Sequence, residues 1–387
     1  MLSRIRNIVL AILCVFHWLL QFFCKRRINN NGRTVVIVQL AWLGDMVCTT
    51  PVFRAIKKEW ENCRVVVIGL PRTEEVLKHN SDVDRFITWK ENIEYIKNQL
   101  KSESVDSVII MTPNFYALAA LYIIGIRNIV VPFVIGGYSP YETKLYKLLS
   151  RLISIRVSHR FGFYAPEEYL RLLEPIGINS RDTTKHLAFS EEAGQSIDYL
   201  FTKNNISFDD LLVAISPSAG NKIKNWPPDR FARLADYLID KHNVKVFVIG
   251  SKIDKEEVNK MIGFSKQSSR IINFCELLSI DQLKAFIARV DIFISVDTGP
   301  IYIAEAFGVA TIDIIGPMDE REQPPRGTRN INVIDPSREE PIIHIMNSRI
   351  YDHKKARQSI ENISVNMVVE AFDNLYNNYF ENRNTTR

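Results

Sequence analysis

Short β-branched apolar runs alternate with amphipathic helical patterns along most of this chain, and the whole alternation occurs twice. The apolar runs are residues 34–40, 64–70, 106–111 and 129–135 in the first half, and residues 211–216, 245–250, 270–274, 291–296 and 310–315 in the second. Helical patterns lie between them, as at residues 51–61, 91–101 and 229–240. Continuous apolar strands that alternate with amphipathic helices are typical of parallel sheets covered on both faces. The sequence therefore predicts an α/β fold of two Rossmann-like domains whose parallel sheets face a central cleft.

Length and composition agree with two globular domains. The chain has 387 residues, of which 46% are hydrophobic and 24% charged, and this length suits two ordinary domains better than one core. The boundary is predicted within residues 190–208, which gives domains at 34–200 and 201–350. The net charge is +5, but basic residues are scattered among acidic ones, which argues against a nucleic-acid partner. The five cysteines show no paired spacing, so neither a structural zinc nor a disulfide framework is expected.

The N-terminus carries a separate hydrophobic segment. Residues 8–23 are almost all apolar, with Arg4 and Arg6 before them and Lys25, Arg26 and Arg27 after them. No small-residue cleavage site follows, so a cleaved signal peptide is not expected. We predict that residues 1–33 form a membrane-associating helix and a linker, with the helix either lying in the interface or spanning the bilayer. The alternative is an amphipathic helix that packs on the protein's own core.

The first strand leads into a loop with a candidate catalytic acid. The strand ends at Leu40, Gly44 permits a tight turn, and Pro51 is a favoured first helical residue, so a helix is predicted to begin there. Asp45 then lies at the carboxyl end of the strand, where a carboxylate can deprotonate an acceptor hydroxyl within hydrogen-bond reach. The alternative is that Asp45 only accepts hydrogen bonds from turn amides.

Two loops of the second half suit an anionic ligand. Small residues from Ser218 to Gly220 allow backbone amides to approach an anion, and Lys224 adds a point charge that can hold a diphosphate. Alone, the lysine is a weak signal. The other loop, from Asp297 to Pro300, is predicted to open a helix, whose first N–H groups bind anions. Here the alternative is a simple turn in which Asp297 caps the helix.

Together these loops resemble glycosyltransferase family 9, the heptosyltransferases that build lipopolysaccharide cores. The matching pieces are Leu43-Gly44-Asp45, Thr49-Thr50-Pro51, residues 80–84, Lys224-Asn225-Trp226-Pro227, Gly250-Ser251 with Asp254 and Glu256, Asp297-Thr298-Gly299-Pro300, and Gly316-Pro317-Met318-Asp319. They occur in order and cover nearly all of residues 34–327, and a short helical match follows at residues 362–372.

The resemblance implies a GT-B fold with the acceptor in the first domain and the donor in the second. It also implies that a C-terminal helix within residues 351–387 crosses back to the first domain. The family's base corresponds to Asp45, with Gly44 and Thr49 on the same acceptor-side loop. The donor-binding residues that the resemblance implies are Lys224, Glu256, Asp297, Thr298 and Gly299. The composition of the loop adds Ser218 to this set.

The same resemblance implies an inverting reaction without a metal or cofactor. ADP-heptose is the best single expectation for the donor, and a lipopolysaccharide-type or other cell-surface glycan for the acceptor. The protein is expected on the cytoplasmic side of the inner membrane, attached through the N-terminal helix. Asp82-Val83-Asp84 has the form of a metal-binding DxD motif but matches a structural segment of the family, so no metal is predicted there.

This chain also departs from the family pattern. Tyr302 stands where the family often has histidine, and residues 335–346 lack the family's cysteines. Both departures lie in the donor half, so they leave the donor sugar open. Two other functions remain open from the sequence, namely a sugar-nucleotide epimerase of the same fold and a catalytically silent membrane-tethered binding protein.

Overall fold

The computed structural model describes residues 2–21, 34–207 and 209–380. Within these residues the chain divides into two compact units. The first comprises the described residues up to His186 together with Ile345–Ile350, and the second comprises Leu187–His344 and the described residues from Tyr351 onward. The linker at residues 28–33 and the basic residues 25–27 lie outside the described residues.

The first unit contains a six-stranded parallel sheet with strand order β3-β2-β1-β4-β5-β6. Its strands are β1 (Thr34–Gln39), β2 (Arg64–Gly69), β3 (Arg85–Thr88), β4 (Val105–Ile110), β5 (Ile129–Ile135) and β6 (Ile155–Arg160). Its helices are α1 (Leu2–Gln21), α2 (Leu43–Glu59), α3 (Pro71–Leu77), α4 (Ile93–Leu100), α5 (Phe115–Ile123), α6 (Lys144–Ile153) and α7 (Ala165–Arg171). All six residues of β1 are buried, as expected for a central strand with helices on both faces.

The second unit repeats this arrangement with strand order β12-β11-β10-β7-β8-β9. Its strands are β7 (Leu212–Ser216), β8 (Lys245–Val248), β9 (Ile271–Asn273), β10 (Ile292–Val296), β11 (Ala310–Ile315) and β12 (Asn330–Ile334). Its helices are α8 (Glu191–Lys203), α9 (Pro228–His242), α10 (Lys255–Phe264), α11 (Ile280–Ile287), α12 (Gly299–Ala306), α13 (His353–Glu361) and α14 (Val365–Tyr379).

In each unit the first strand lies beside the second and the fourth, which is the strand order of Rossmann-like sheets. The predicted α/β class with two parallel sheets is therefore confirmed. Two edge strands, β6 and β12, were missed by the sequence pattern. Both alternate polar and apolar residues because an edge strand has fewer neighbours to cover it.

The C-terminal helices pack into the second unit. Val368, Phe372 and Leu375 of α14 belong to the same buried apolar cluster as Val213 and Ile292 of the central strands. This differs from the expectation of a final helix that crosses back to the first domain. The C-terminal segment grouped with the first unit is instead Ile345–Ile350, and Ser348 there shares a hydrogen bond of 3.1 Å with Tyr141.

The predicted membrane attachment of the N-terminal helix is wrong. No helix among the described residues is long and apolar enough to cross a bilayer. Helix α1 packs instead against α5 and α6 of its own unit, where Leu10, Ala11 and Cys14 are buried. The side of α1 that faces the rest of the unit contains Leu10, Ala11 and Cys14, and the broader apolar side is exposed. The side chains exposed there are Ile5, Ile8, Val9, Ile12, Leu13, Phe16 and Leu19.

Candidate functional site

The loop after β1 places Asp45 in the first turn of α2. Helix α2 begins at Leu43 and not at Pro51 as predicted, so Gly44 and Asp45 are helical residues. The backbone N–H of Trp42 donates to Asp45 Oδ2 at 3.0 Å, and the carboxylate is half-buried. The structure thus places Asp45 just past the carboxyl end of β1, as predicted, and also gives it the local amide contact of the alternative interpretation.

Helix α2 continues through Pro51 because a neighbouring hydroxyl replaces the missing N–H. Proline cannot donate to the carbonyl four residues earlier, which here belongs to Val47. The Thr50 hydroxyl donates to that carbonyl at 2.7 Å. Thr49 has an equally local role, since its hydroxyl donates to the Asp45 carbonyl at 2.7 Å and accepts from Gln39 at 2.9 Å. Thr49 is fully buried, so in this structure it contacts its own helix and strand.

In the second unit, Lys224 ends a short 3₁₀ turn, Lys222–Lys224, that follows β7. Its Nζ lies 2.9 Å from Asp297 Oδ2, and the two side chains are only 17% and 4% exposed. The turn is fixed from both sides, because Asn225 accepts the Ala219 N–H at 2.8 Å and the buried Trp226 indole donates to the Ile363 carbonyl at 2.8 Å. The structure therefore brings two of the predicted donor-site residues into direct contact.

Asp297 stands between β10 and α12, and both of its carboxylate oxygens are bound. Oδ2 accepts from Lys224, and Oδ1 accepts from the buried Tyr302 hydroxyl. Thr298 is the N-cap residue of α12 and Gly299 is its first residue. Both are half-buried and lie where the first backbone N–H groups of a helix have no intrahelical acceptor. This arrangement can bind an anion beside the Lys224 ammonium.

Ser218, the remaining loop residue after β7, is bound to an acid that the sequence did not single out as a site residue. Its hydroxyl donates to Asp254 Oδ1, and Ser251 donates to Asp254 Oδ2 through its hydroxyl at 2.6 Å and its N–H at 2.9 Å. Burial alone would raise the pKa of Asp254, but these hydrogen bonds outweigh burial and lower it.

Glu256, the predicted donor-contacting acid, is exposed on the first turn of α10. Its side chain is 77% exposed and pairs with Lys260 at 2.7 Å. The structure therefore does not bring Glu256 into the Lys224–Asp297 contact.

A second buried carboxyl lies beside Asp297. Asp313 is in β11 opposite Ser295 of β10, is fully buried, and neither of its oxygens has a hydrogen-bond partner among the described residues. Burial and the nearby Asp297 raise the pKa of Asp313 well above its usual range, and Lys224 opposes them. A single acid inside an apolar strand gave no sequence signal, because its neighbours come from other strands.

The turn after β11 contains a group that could hold a metal ion. Nδ1 of His344 lies 3.3 Å from Asp319 Oδ2 and 3.2 Å from Glu322 Oε1, and one ligand atom of each residue lies within 4.8 Å of the others. We call Asp319, Glu322 and His344 the His344 cluster. Arg321 also binds both oxygens of Asp319, at 2.8 and 2.7 Å. Arg321 thus supplies a positive charge beside the His344 cluster.

The chain matches a known protein family over more than half of its length. The family model for glycosyltransferase family 9 (heptosyltransferase) matches residues 95–349. Lipopolysaccharide heptosyltransferase 3 of Escherichia coli (strain K12) is 23% identical in an alignment of 292 positions that covers 71% of this chain and 80% of that protein.

Two solved structures share the fold. A family 9 glycosyl transferase from Veillonella parvula has a TM-score of 0.73 and 19% identity, over 91% of this chain and 100% of that one. The ADP-heptose lipopolysaccharide heptosyltransferase II of Escherichia coli has a TM-score of 0.71 and 18% identity, over 89% and 99%.

Proposed function

The chain belongs to glycosyltransferase family 9 and is a glycosyltransferase, and we propose that it transfers heptose from ADP-heptose to a lipopolysaccharide-type glycan. The relatives that support this proposal are named as lipopolysaccharide heptosyltransferases, and one solved relative is named for ADP-heptose. The observation in this chain that carries it is the largely buried side chain of Lys224 just before the first turn of α12 in space. A cation and helix N–H groups are suited to the diphosphate of a nucleotide sugar.

On the donor side, Lys224 and the N–H groups of Thr298 and Gly299 bind the leaving diphosphate. When the bond between the sugar C1 and the phosphate oxygen breaks, the electron pair stays on the diphosphate and its negative charge grows. Each preorganised hydrogen-bond donor aimed at such a charge lowers the activation free energy by roughly 3 kcal/mol, by analogy with oxyanion holes. Ser218, whose hydroxyl donates to Asp254, lies in the loop that leads from β7 to Lys224.

Glu256 follows β8, the second strand of its unit. An acid beyond the second strand of a Rossmann-like domain characteristically accepts a hydrogen bond from a ribose hydroxyl. We therefore assign Glu256 to the ribose of the nucleotide. This assignment requires Glu256 to leave its exposed pair with Lys260.

On the acceptor side, Asp45 is the general base. Its carboxylate takes the proton of the acceptor hydroxyl while the oxygen attacks the sugar C1 from the face opposite the diphosphate, which inverts the anomeric configuration. The Trp42 N–H on Oδ2 fixes the carboxylate at the helix start. The charges that Lys224 and the N–H groups supply are those a metal would otherwise provide, so we propose a reaction without a metal.

The experiment supplies ADP-, UDP- and GDP-linked sugars with a lipopolysaccharide core acceptor that lacks the added sugar. We expect nucleoside diphosphate release with ADP-heptose only when the acceptor is present, an inverted anomeric centre by NMR, and no loss of rate in EDTA. Asp45→Asn abolishes release, while Glu74→Gln, in the first turn of α3 of the same unit, keeps it. Epimerised donor without release would contradict transfer, and a loss in EDTA that added divalent metal restores would contradict the metal-free step.

A further inference from the structure

Tyr302, Asp297 and Lys224 form a continuous chain of contacts in the second unit. The Tyr302 hydroxyl donates to Asp297 Oδ1, and Lys224 Nζ lies 2.9 Å from Asp297 Oδ2. Tyr302 is 2% exposed and Asp297 3% exposed. A hydroxyl that donates to a buried carboxylate restricts the positions that the carboxylate can take.

Asp313 is a competing partner for the same ammonium. It lies opposite Ser295 within the paired strands, whereas Asp297 follows Val296, the last residue of β10. Two residues along a strand correspond to about 7 Å, which places Asp313 deeper in the sheet than Asp297. Burial, the nearby Asp297 and Glu305 of α12 raise the pKa of Asp313, and Lys224 lowers it.

One ammonium therefore lies near two buried carboxyl groups, and of the two only Asp297 accepts a hydrogen bond within the described residues. We propose that Tyr302 is a positioning residue that fixes the Asp297 carboxylate, and so holds the Lys224 ammonium at the carboxyl edge of the sheet instead of deeper, near Asp313. This inference rests on the proposed function, in which Lys224 binds the donor diphosphate. Without the hydroxyl, Lys224 is drawn toward Asp313 and away from the diphosphate.

The test is a double-variant cycle read by calorimetric titration with ADP at pH 7.5. Because a hydrogen bond to a charged group is lost, we expect Tyr302→Phe to weaken ADP binding about tenfold. Asp313→Asn removes the competing carboxyl group, so Tyr302→Phe with Asp313→Asn binds ADP within about threefold of the Asp313→Asn single variant. Recovery by a second substitution is not expected if Tyr302 acts only in packing.

A matched control exists in the same unit. Tyr237 donates to Asp373, which also pairs with Lys241 at 2.7 Å, so Tyr237→Phe removes the same hydroxyl from an equivalent trio on α9 and α14. This trio has the same residue types but is more exposed, and we expect ADP affinity to stay unchanged in Tyr237→Phe. The proposal is overturned if Tyr302→Phe binds ADP like the wild type, if Asp313→Asn does not restore binding, or if Tyr237→Phe weakens ADP binding equally.

Failure of the proposed function has a different signature. ADP titration does not require transfer, so a wild-type protein that binds ADP through Lys224 but transfers no heptose contradicts the proposed reaction and leaves the cycle readable. A wild type that binds no nucleoside diphosphate contradicts both proposals.

Discussion

The loop after β1 and the loops of the second unit hold their charged groups in different ways. Asp45 is half-buried and is fixed by the backbone N–H of Trp42. Lys224 is nearly buried and is fixed by the carboxylate of Asp297. A carboxylate that accepts an amide at a helix start can serve as a proton acceptor. A largely buried ammonium that is already paired keeps further N–H donors for a phosphate, so the carboxylate that pairs with it controls where those donors point.

The substitution Lys224→Met tests this difference most strongly. Removing one partner of a buried ion pair typically costs about 3–5 kcal/mol of stability, because the other charge stays buried alone. We expect a free energy of unfolding lower by about this amount and ADP binding weaker by about 100-fold. Urea unfolding and calorimetry measure the two effects. Lys58→Met, on the exposed pair with Asp182 in the first unit, is the control and should leave both values unchanged; an equal loss there would contradict the argument.

A change of pH tests the charges of the His344 cluster, whose two carboxylates lie in the turn after β11. Burial alone would lower the pKa of His344, but the hydrogen bonds with Asp319 and Glu322 outweigh it and raise the pKa to about 9. A raised pKa means that the stabilisation is complete below the unfolded value of about 6.5 and is lost as the pH rises to about 9. We expect up to about 3 kcal/mol to be lost over this window.

Urea unfolding at pH 6, 7.5 and 9 measures this loss, and His344→Gln should remove most of the pH dependence. A wild-type stability that does not change between pH 6.5 and 9 would show that His344 carries no such charge.

In α2, Thr49→Val tests how much the buried hydroxyl of Thr49 stabilises the fold. The substitution leaves the buried Gln39 amide and the Asp45 carbonyl without their partner, which costs about 1–3 kcal/mol. Thr202→Val, which loses a similar hydroxyl-to-carbonyl bond on an exposed part of α8, should change stability by less than about 0.5 kcal/mol. Thermal or urea unfolding compares them. Similar losses in the two variants would show that burial of Thr49 does not matter.

The smallest expected effect is that of Glu256→Gln. The side chain is exposed, so the unfolding midpoint should not move. If Glu256 accepts a ribose hydroxyl as proposed, ADP affinity falls by roughly threefold to tenfold, the value of one modest hydrogen bond. Glu257→Gln, on the next position of the same helix, is the control. Unchanged ADP binding in Glu256→Gln would contradict this assignment and mean that another acid, such as Asp254, contacts the ribose.

Much of the fold was predictable because central parallel strands are buried on both faces and so appear as continuous apolar runs. The predicted runs at residues 34–40 and 310–315 agree with β1 and β11 to within one residue. The helix start at Leu43 was not predictable in the same way, because proline usually marks a first turn. Only the structure shows that the Thr50 hydroxyl replaces the N–H that Pro51 lacks.

The sequence by itself determined the two α/β units, the family and the positions of Asp45, Lys224 and Asp297 after their strands. These follow from local periodicity and from loop motifs that stay contiguous in the chain. Tertiary structure alone decided that Lys224 binds Asp297, that Tyr302 binds the same carboxylate, that Asp313 lies beside them, and that α1 packs on α5 and α6. Such contacts join residues far apart in the chain, and whether a charge is paired or buried depends on neighbours that local sequence does not specify.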